Sequence, residues 1–156
     1  GLMTELLQVR PEGKYLEIGT GSGYQAAILA AIGALVYTIE IIPESGNQAS
    51  KVINELGYQK VYYRTGDGYY GWSEAAPFDG IIVTAALDHI PNVLLEQLSD
   101  QGKLVIPIRK SASSQTLWLV EKRSGKWVFV NHGLVAFVPF IVSGGDGGRV
   151  AVPGHS

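Results

Sequence analysis

The apolar positions of this chain change period repeatedly, from short continuous runs to helical spacing and back. Residues 2–7 read as the end of a helix, stopped by the turn at Pro11-Glu12-Gly13. Tyr15, Leu16 and Ile18 around Glu17 predict a short buried strand. Ala26, Ala27, Leu29, Ala30 and Ala31 then predict a helix over 24–32, with Gly33 as its stop. A second strand is expected over 35–40. A helix follows over 43–56, with Pro43-Glu44 in its first turn and Gly57 as its stop, weakened early by Gly46 and Asn47. A third strand is expected over 60–64, and the apolar run 81–84 suits a central buried strand. Pro91 should start a helix with Val93, Leu94, Leu95 and Leu98 on one face, ended by Asp100-Gln101-Gly102, and a fifth strand over 103–107. The period then shortens: 115–121 and 127–131 alternate across Ser124-Gly125 as a hairpin would, and 134–142 adds a last strand.

Alternating strands and helices followed by an antiparallel ending predict an α/β domain. Its sheet is mostly parallel with antiparallel C-terminal strands, and helices cover both faces. One domain is expected over 1–142, followed by a glycine-rich tail over 143–156 that is expected to be flexible. Ligands in such sheets sit beyond the C-terminal ends of the strands.

Composition narrows the class. A chain of 156 residues with 46% hydrophobic content and a net charge of −2 suits one globular domain with a real core. No apolar run approaches a membrane span and no secretory signal is visible, so no membrane partner is expected. No basic stripe points to nucleic acid. Cysteine is absent, which excludes disulfides, thiolate zinc sites and a cysteine nucleophile, and fits a cytoplasmic location. His89, His132 and His155 are scattered without helical spacing, so no metal site is expected. His89 lies just past a predicted strand end, which leaves contact with a substrate open.

The candidate chemistry lies at three strand ends. After the first strand comes Glu17-x-Gly19-Thr20-Gly21-Ser22-Gly23, a tight turn leading into a helix. Bare backbone and unpaired helix-start N–H groups there can receive a cofactor. The spacing differs from the G-x-G-x-x-G dinucleotide fingerprint, and a glycine loop alone also fits a tight turn in any α/β protein. The second strand ends on Glu40, about 20 residues beyond the first glycine, where such sites place an acceptor for ribose hydroxyls. The third runs into Gly66-Asp67-Gly68, an acid able to accept from an adenine amine between glycines that admit the ring. Either acid alone also fits a solvated turn. Together the three suit an adenosyl ligand with a free ribose and no phosphate, a description that S-adenosylmethionine meets. Tyr69, Tyr70 and Trp72 follow the third site and are expected to pack in the core rather than over a ring.

These segments are similar to a known family. The stretch from Leu16 through Ala27, Gly66-Asp67-Gly68 with Gly71-Trp72, and Ala76-Pro77-Phe78-Asp79-Gly80 running on to Ala86 carry the likeness. Ile90-Pro91, Gln97-Leu98 and Phe137-Val138-Pro139 complete it. Over most of its length the chain resembles bacterial protein-L-isoaspartate O-methyltransferases. The resemblance implies a Rossmann-like S-adenosylmethionine-dependent methyltransferase fold and methyl transfer to the free α-carboxylate of isoaspartyl residues in damaged proteins. S-adenosyl-L-homocysteine is the implied product, and isoaspartyl proteins and peptides are the implied partners. It further implies that Glu17, Gly19, Thr20, Gly21, Ser22, Gly23, Glu40, Ile41, Asp67 and Gly68 form the cofactor site, with Thr84, Ala85 and Ala86 near the transferred methyl. Ala85 and Ala86 suit simple close packing equally well.

The likeness departs in places. The family carries a preceding segment with a Thr/Gln-Ile-Ser-Gln/Ala-Pro type motif that includes the Ser or Thr assigned to catalysis. The sequence starts at Gly1, past that motif, so an N-terminally truncated chain is expected and no residue here inherits the catalytic role. Ile41 stands where the family often has a basic residue. Three readings follow: a repair methyltransferase; a cofactor-binding core of one without turnover; and a nicotinamide-dependent oxidoreductase, which the glycine spacing disfavours. A monomer is expected, with self-association through apolar surface as the outcome of a missing N-terminal layer.

Overall fold

A computed structural model of the protein describes residues 2–19, 24–41, 51, 54, 60–111, 114–131, 134–139 and 149–150. Of the predicted 43–56 helix only Lys51 and Asn54 are described, both helical; its other residues, residues 140–142 of the predicted last strand, and the tail apart from Arg149 and Val150 lie outside the described residues.

The described residues of the first half follow the sequence pattern closely. Helix α1 (Leu2–Leu7) leads into β1 (Lys14–Gly19), α2 (Tyr24–Ala31) and β2 (Leu35–Glu40). Gly33, at φ +103°, ends α2 in a conformation that L side chains rarely adopt. Next come β3 (Val61–Thr65), two single-turn 3-10 helices at Gly68–Tyr70 and Ser73–Ala75, and β4 (Phe78–Val83).

The 90–103 region departs from expectation. Ile90–Pro91 form a short strand, β5, which pairs antiparallel with β10 (Arg149–Val150), and Pro91 is also the N-cap of the helix that follows, as predicted. The helix itself, α3 (Asn92–Glu96), is shorter than predicted, and Leu98 already belongs to β6 (Leu98–Ser111). The cause is a register shift in the pairing of β4 with β6. Leu98 faces Phe78 and Lys103 faces Gly80, so the residues between them bulge, with Gln101 at φ 65°. The expected turn at 100–102 is therefore a bulge within a strand. Strand β4 also starts earlier than predicted, because Phe78 N–H donates to Gln97 O at 2.7 Å.

The antiparallel ending is as expected. Strands β7 (Ser114–Arg123) and β8 (Lys126–Asn131) close over a two-residue turn in which Ser124 and Gly125 both have positive φ. Positive φ at both central residues gives the turn whose twist matches the flanking strands. Strand β9 (Leu134–Pro139) pairs with β8.

Eight strands form one sheet in the order β3-β2-β1-β4-β6-β7-β8-β9, the first five parallel and the rest antiparallel. The chain builds outward from β1 to β3, then returns to β4 and β6 on the other side of β1. The gap between β1 and β4 is thus a topological switch point, where α/β sheets receive ligands. Strand alternation divides the core. Leu16, Ile18, Ile81, Val83, Leu104 and Ile106 face one layer with Leu94 and Leu95 of α3. Tyr15, Val36, Ile82 and Val105 face the other, with Leu7 of α1 and Ala26 and Leu29 of α2. Central strands that bury both faces must be apolar throughout, which is why they read as continuous runs.

Candidate functional site

The C-terminal ends of β1, β2, β3 and β4 converge as the sequence suggests. Ile41 N–H donates to Gly19 O at 3.0 Å, Gly66 N–H to Glu40 O at 3.0 Å, and Thr84 N–H to Ile18 O at 2.8 Å. These bonds carry the ladder one residue past each strand and fix the predicted positions relative to one another.

Glycine is required here for room. An added Cβ at Gly19 would lie 1.6 Å from Thr84 Oγ1. At Gly68 it would lie 2.1 Å from Ile18 Cγ2. Neither glycine has a positive φ, so each is fixed by what crosses it and not by its own backbone. Thr20, Gly21, Ser22 and Gly23 lie outside the described residues.

On the face of Ile18 and Val83 a cavity opens, lined also by Ile41, Asp67, Gly68, Tyr69, Ala85, Leu87 and Leu94. Its walls are mainly aliphatic and its rim carries one carboxylate. Asp67 Oδ1 caps the first 3-10 helix by accepting from Tyr69 N–H at 3.0 Å, which orients the exposed carboxyl at the mouth. An apolar slot with a carboxylate at its edge suits a flat heteroaromatic ring bearing an amine.

Glu17 and Glu40 occupy the other face of the same edge. Glu17 is opposite Thr38 and Gly19 opposite Glu40 in the β1–β2 register, so the four share one side of the sheet. Both carboxyls are buried, at 6% and 4% exposure. Thr38 Oγ1 donates to Glu17 Oε1 at 2.8 Å. Burial raises the Glu17 pKa above the usual 4.5; the Thr38 bond opposes this and the Glu40 charge adds to it.

A pH dependence follows. The folded state holds the Glu17 proton more tightly than the unfolded chain does. The contribution of this group is therefore fully present below about pH 4.5 and is lost as pH rises through the raised folded value. Glu17→Gln should flatten the stability curve above that pH relative to the unsubstituted chain. Urea midpoints measured across pH 4–8 check this, and parallel curves for the two proteins would refute it.

Two of the three aromatic residues after the third strand lie otherwise than the sequence suggests. Tyr69 lines the cavity, whereas only core packing was expected of it. Its hydroxyl pairs with His89 Nε2 at 2.8 Å, and His89 Nδ1 pairs with Asp88 Oδ1. This chain ties the loop after β3 to the loop after β4. Tyr70 is exposed. Trp72 packs as expected, edge-on to Tyr37 and beneath the Arg64 guanidinium at 4.1 Å.

Sequence reasoning missed two contributors. Gln97 is buried; its Oε1 accepts from Trp72 N–H and its Nε2 donates to Tyr70 O, each at 3.0 Å. A polar residue set among Leu94, Leu95 and Leu98 was the available signal. Arg109 Nη2 donates to Ala86 O at 2.9 Å. No local pattern announces that contact, because it depends on β6 lying beside β4. Among the described residues no group of three or more His, Asp or Glu is arranged to hold a metal ion. No helix among them is long and apolar enough to cross a membrane.

Known proteins are similar to this chain in sequence and in fold. Residues 1–144 match the family model of Protein-L-isoaspartate(D-aspartate) O-methyltransferase (PCMT). Over 138 residues the chain is 54% identical to protein-L-isoaspartate O-methyltransferase 1 of Nitrosospira multiformis, covering 88% of this chain and 58% of that relative. A solved protein-L-isoaspartate O-methyltransferase superposes with TM-score 0.77 at 31% identity, over 92% of this chain and 46% of the other. A Plasmodium falciparum structure of the same description, in complex with S-adenosyl-L-homocysteine, shares the fold with TM-score 0.73 at 24% identity, over 89% of this chain and 71% of that one.

Proposed function

This chain belongs to the protein-L-isoaspartate(D-aspartate) O-methyltransferase family, and from that premise we propose that it binds S-adenosylmethionine and methylates the free α-carboxylate of isoaspartyl residues. The observation that carries the proposal is the convergence at one switch point of Gly19, Glu40, Asp67-Gly68 and the small pair Ala85-Ala86. When bound, the cofactor supplies an electrophilic methyl group on a sulfonium.

The residues fit such a ligand. The slot between Ile18, Ile41, Val83 and Leu94 would hold an adenine ring out of water, with the Asp67 carboxyl placed to accept from its amine. Glu40, at the end of β2, would accept from the ribose hydroxyls. Gly19 and Gly68, where side chains would collide with Thr84 and Ile18, keep the strand ends close-packed beside the ligand. Ala85 and Ala86 leave room for the acceptor. The substrate α-carboxylate, with a pKa of about 3.3–3.7 when unperturbed, is already ionised at neutral pH, so the site needs no strong general base. The protein's task is to align the two reactants and exclude water. The methyl ester collapses to a succinimide, whose hydrolysis returns part of the damage to normal aspartate. Isoaspartyl proteins and peptides are the proposed partners, the protein acting as a monomer in the cytoplasm, in keeping with a chain that has no cysteine.

Titration with S-adenosyl-L-homocysteine by calorimetry, followed by an isoaspartyl peptide and labelled methyl donor, tests this. Binding and label transfer are expected. Glu40→Gln should weaken the calorimetric affinity by about tenfold, the size of one charge-assisted hydrogen bond. Binding without transfer would make the chain a cofactor-holding core. No binding would overturn the assignment of Glu40 and Asp67.

A further inference from the structure

A second groove lies beside the slot, between the loop after β4 and the end of β6, lined by Leu87, Asp88, Arg109, Lys110 and Ser111. Three bonds lock its walls together. Leu87 N–H donates to Pro107 O at 3.3 Å, Arg109 N–H to Leu87 O at 2.6 Å, and Arg109 Nη2 to Ala86 O at 2.9 Å. The guanidinium is therefore anchored next to Ala85-Ala86 through one N–H, and a planar fork has further donors to offer.

The backbone gathers charge in this groove. On a regular strand Arg109 and Lys110 would point to opposite faces. The β6–β7 pairing shifts register between Arg109 and Ser111, and both residues line the groove. Bulges of this kind re-aim side chains beside active sites. Among the described residues neither Arg109 nor Lys110 has an ion pair with a carboxylate, while Asp88 is engaged by His89. Arg64, at the other end of the edge, is committed to Gly71 O, Glu74 and the Trp72 ring.

We propose that this groove selects isoaspartyl sites flanked by an acidic residue, with Arg109 and Lys110 receiving the flanking carboxylate while the isoaspartyl residue reaches Ala85-Ala86. The proposal rests on the methyltransferase reading given above. It makes substrate choice a matter of charge at the neighbouring residue, with the anchored guanidinium setting the distance from the methyl-transfer position.

Fluorescent isoaspartyl peptides carrying Glu, Gln or Lys at one of the two adjacent positions test it, by anisotropy with the chain saturated in S-adenosyl-L-homocysteine. The Glu peptide should bind about fivefold tighter than the Gln peptide, as a partly exposed ion pair allows, and the margin should shrink in high salt. Arg109→Gln should bring the two peptides together. Arg109→Lys should retain much of the preference, and Arg109→Glu should invert it toward the Lys peptide. Equal affinities for the Glu and Gln peptides, with cofactor product binding normally, would overturn the proposal and leave the methyltransferase reading standing. Failure of S-adenosyl-L-homocysteine and of every peptide to bind would overturn both.

Discussion

Gly19→Ala is expected to cost the fold about 3 kcal/mol and to remove measurable S-adenosyl-L-homocysteine binding, because the added methyl group cannot be housed without moving Thr84. All three atoms nearest the ideal Cβ belong to that side chain: Oγ1 at 1.6 Å, Cβ at 3.0 Å and Cγ2 at 3.6 Å. Thr84 cannot yield easily. Its N–H donates to Ile18 O at 2.8 Å, which holds its backbone beside the end of β1. Strain here separates β1 from β4 at the switch point itself. For a chain of this length the melting temperature should fall by about 6–12 °C. The decisive measurement is the double variant Gly19→Ala with Thr84→Gly, which removes every clashing atom. Stability should return to within about 1 kcal/mol, the remainder being the added flexibility of glycine. If the second substitution restores nothing, the collision is not the reason for glycine at this position.

Gln97→Leu should destabilise the protein by about 2–5 kcal/mol with almost no change in side-chain volume. The loss comes from what the amide leaves behind. Trp72 N–H loses its acceptor and Tyr70 O its donor, both at a part-buried site. Gly71, at φ +67°, brings the backbone so close to the amide that an added Cβ would lie 2.3 Å from Gln97 Oε1. The same loop carries Asp67, Gly68 and Tyr69, so a fall in S-adenosyl-L-homocysteine affinity should accompany the fall in stability. Urea unfolding together with hydrogen exchange at the Trp72 amide checks this. A loss below about 0.5 kcal/mol with Trp72 still protected would mean that water replaces the amide without cost.

Residues 2–19, 24–40 and 114–131 show how far local chemistry reaches. The helix stop at Gly33, the strand ending on Glu40 and the Ser124-Gly125 hairpin all lie where the sequence places them. In each case the signal and the structure depend on the same few adjacent residues: a glycine at positive φ, an apolar run of strand length, a two-residue turn. The 90–103 region misled because its outcome depends on distant partners. Pro91 pairs with Arg149, and Leu98 with Phe78. A helical stripe of Val93, Leu94, Leu95 and Leu98 is real in spacing, yet tertiary pairing claims its last member for a strand.

The candidate site divides in the same way. Its chemistry is legible along the chain: glycines at the end of β1, a carboxylate at the end of β2, Gly-Asp-Gly after β3 and small residues after β4, each a property of one strand end. How these act on one another comes from the packing of the folded chain. It set Thr84 against Gly19, buried Glu17 beside Thr38, drew Tyr69 into the cavity, made Gln97 a brace for the adjoining loop, and fixed Arg109 to Ala86. Each of those pairings is set by strand register or packing between segments far apart in the chain. Periodicity tells which face of a strand a residue occupies, but not which residue of another strand lies beside it.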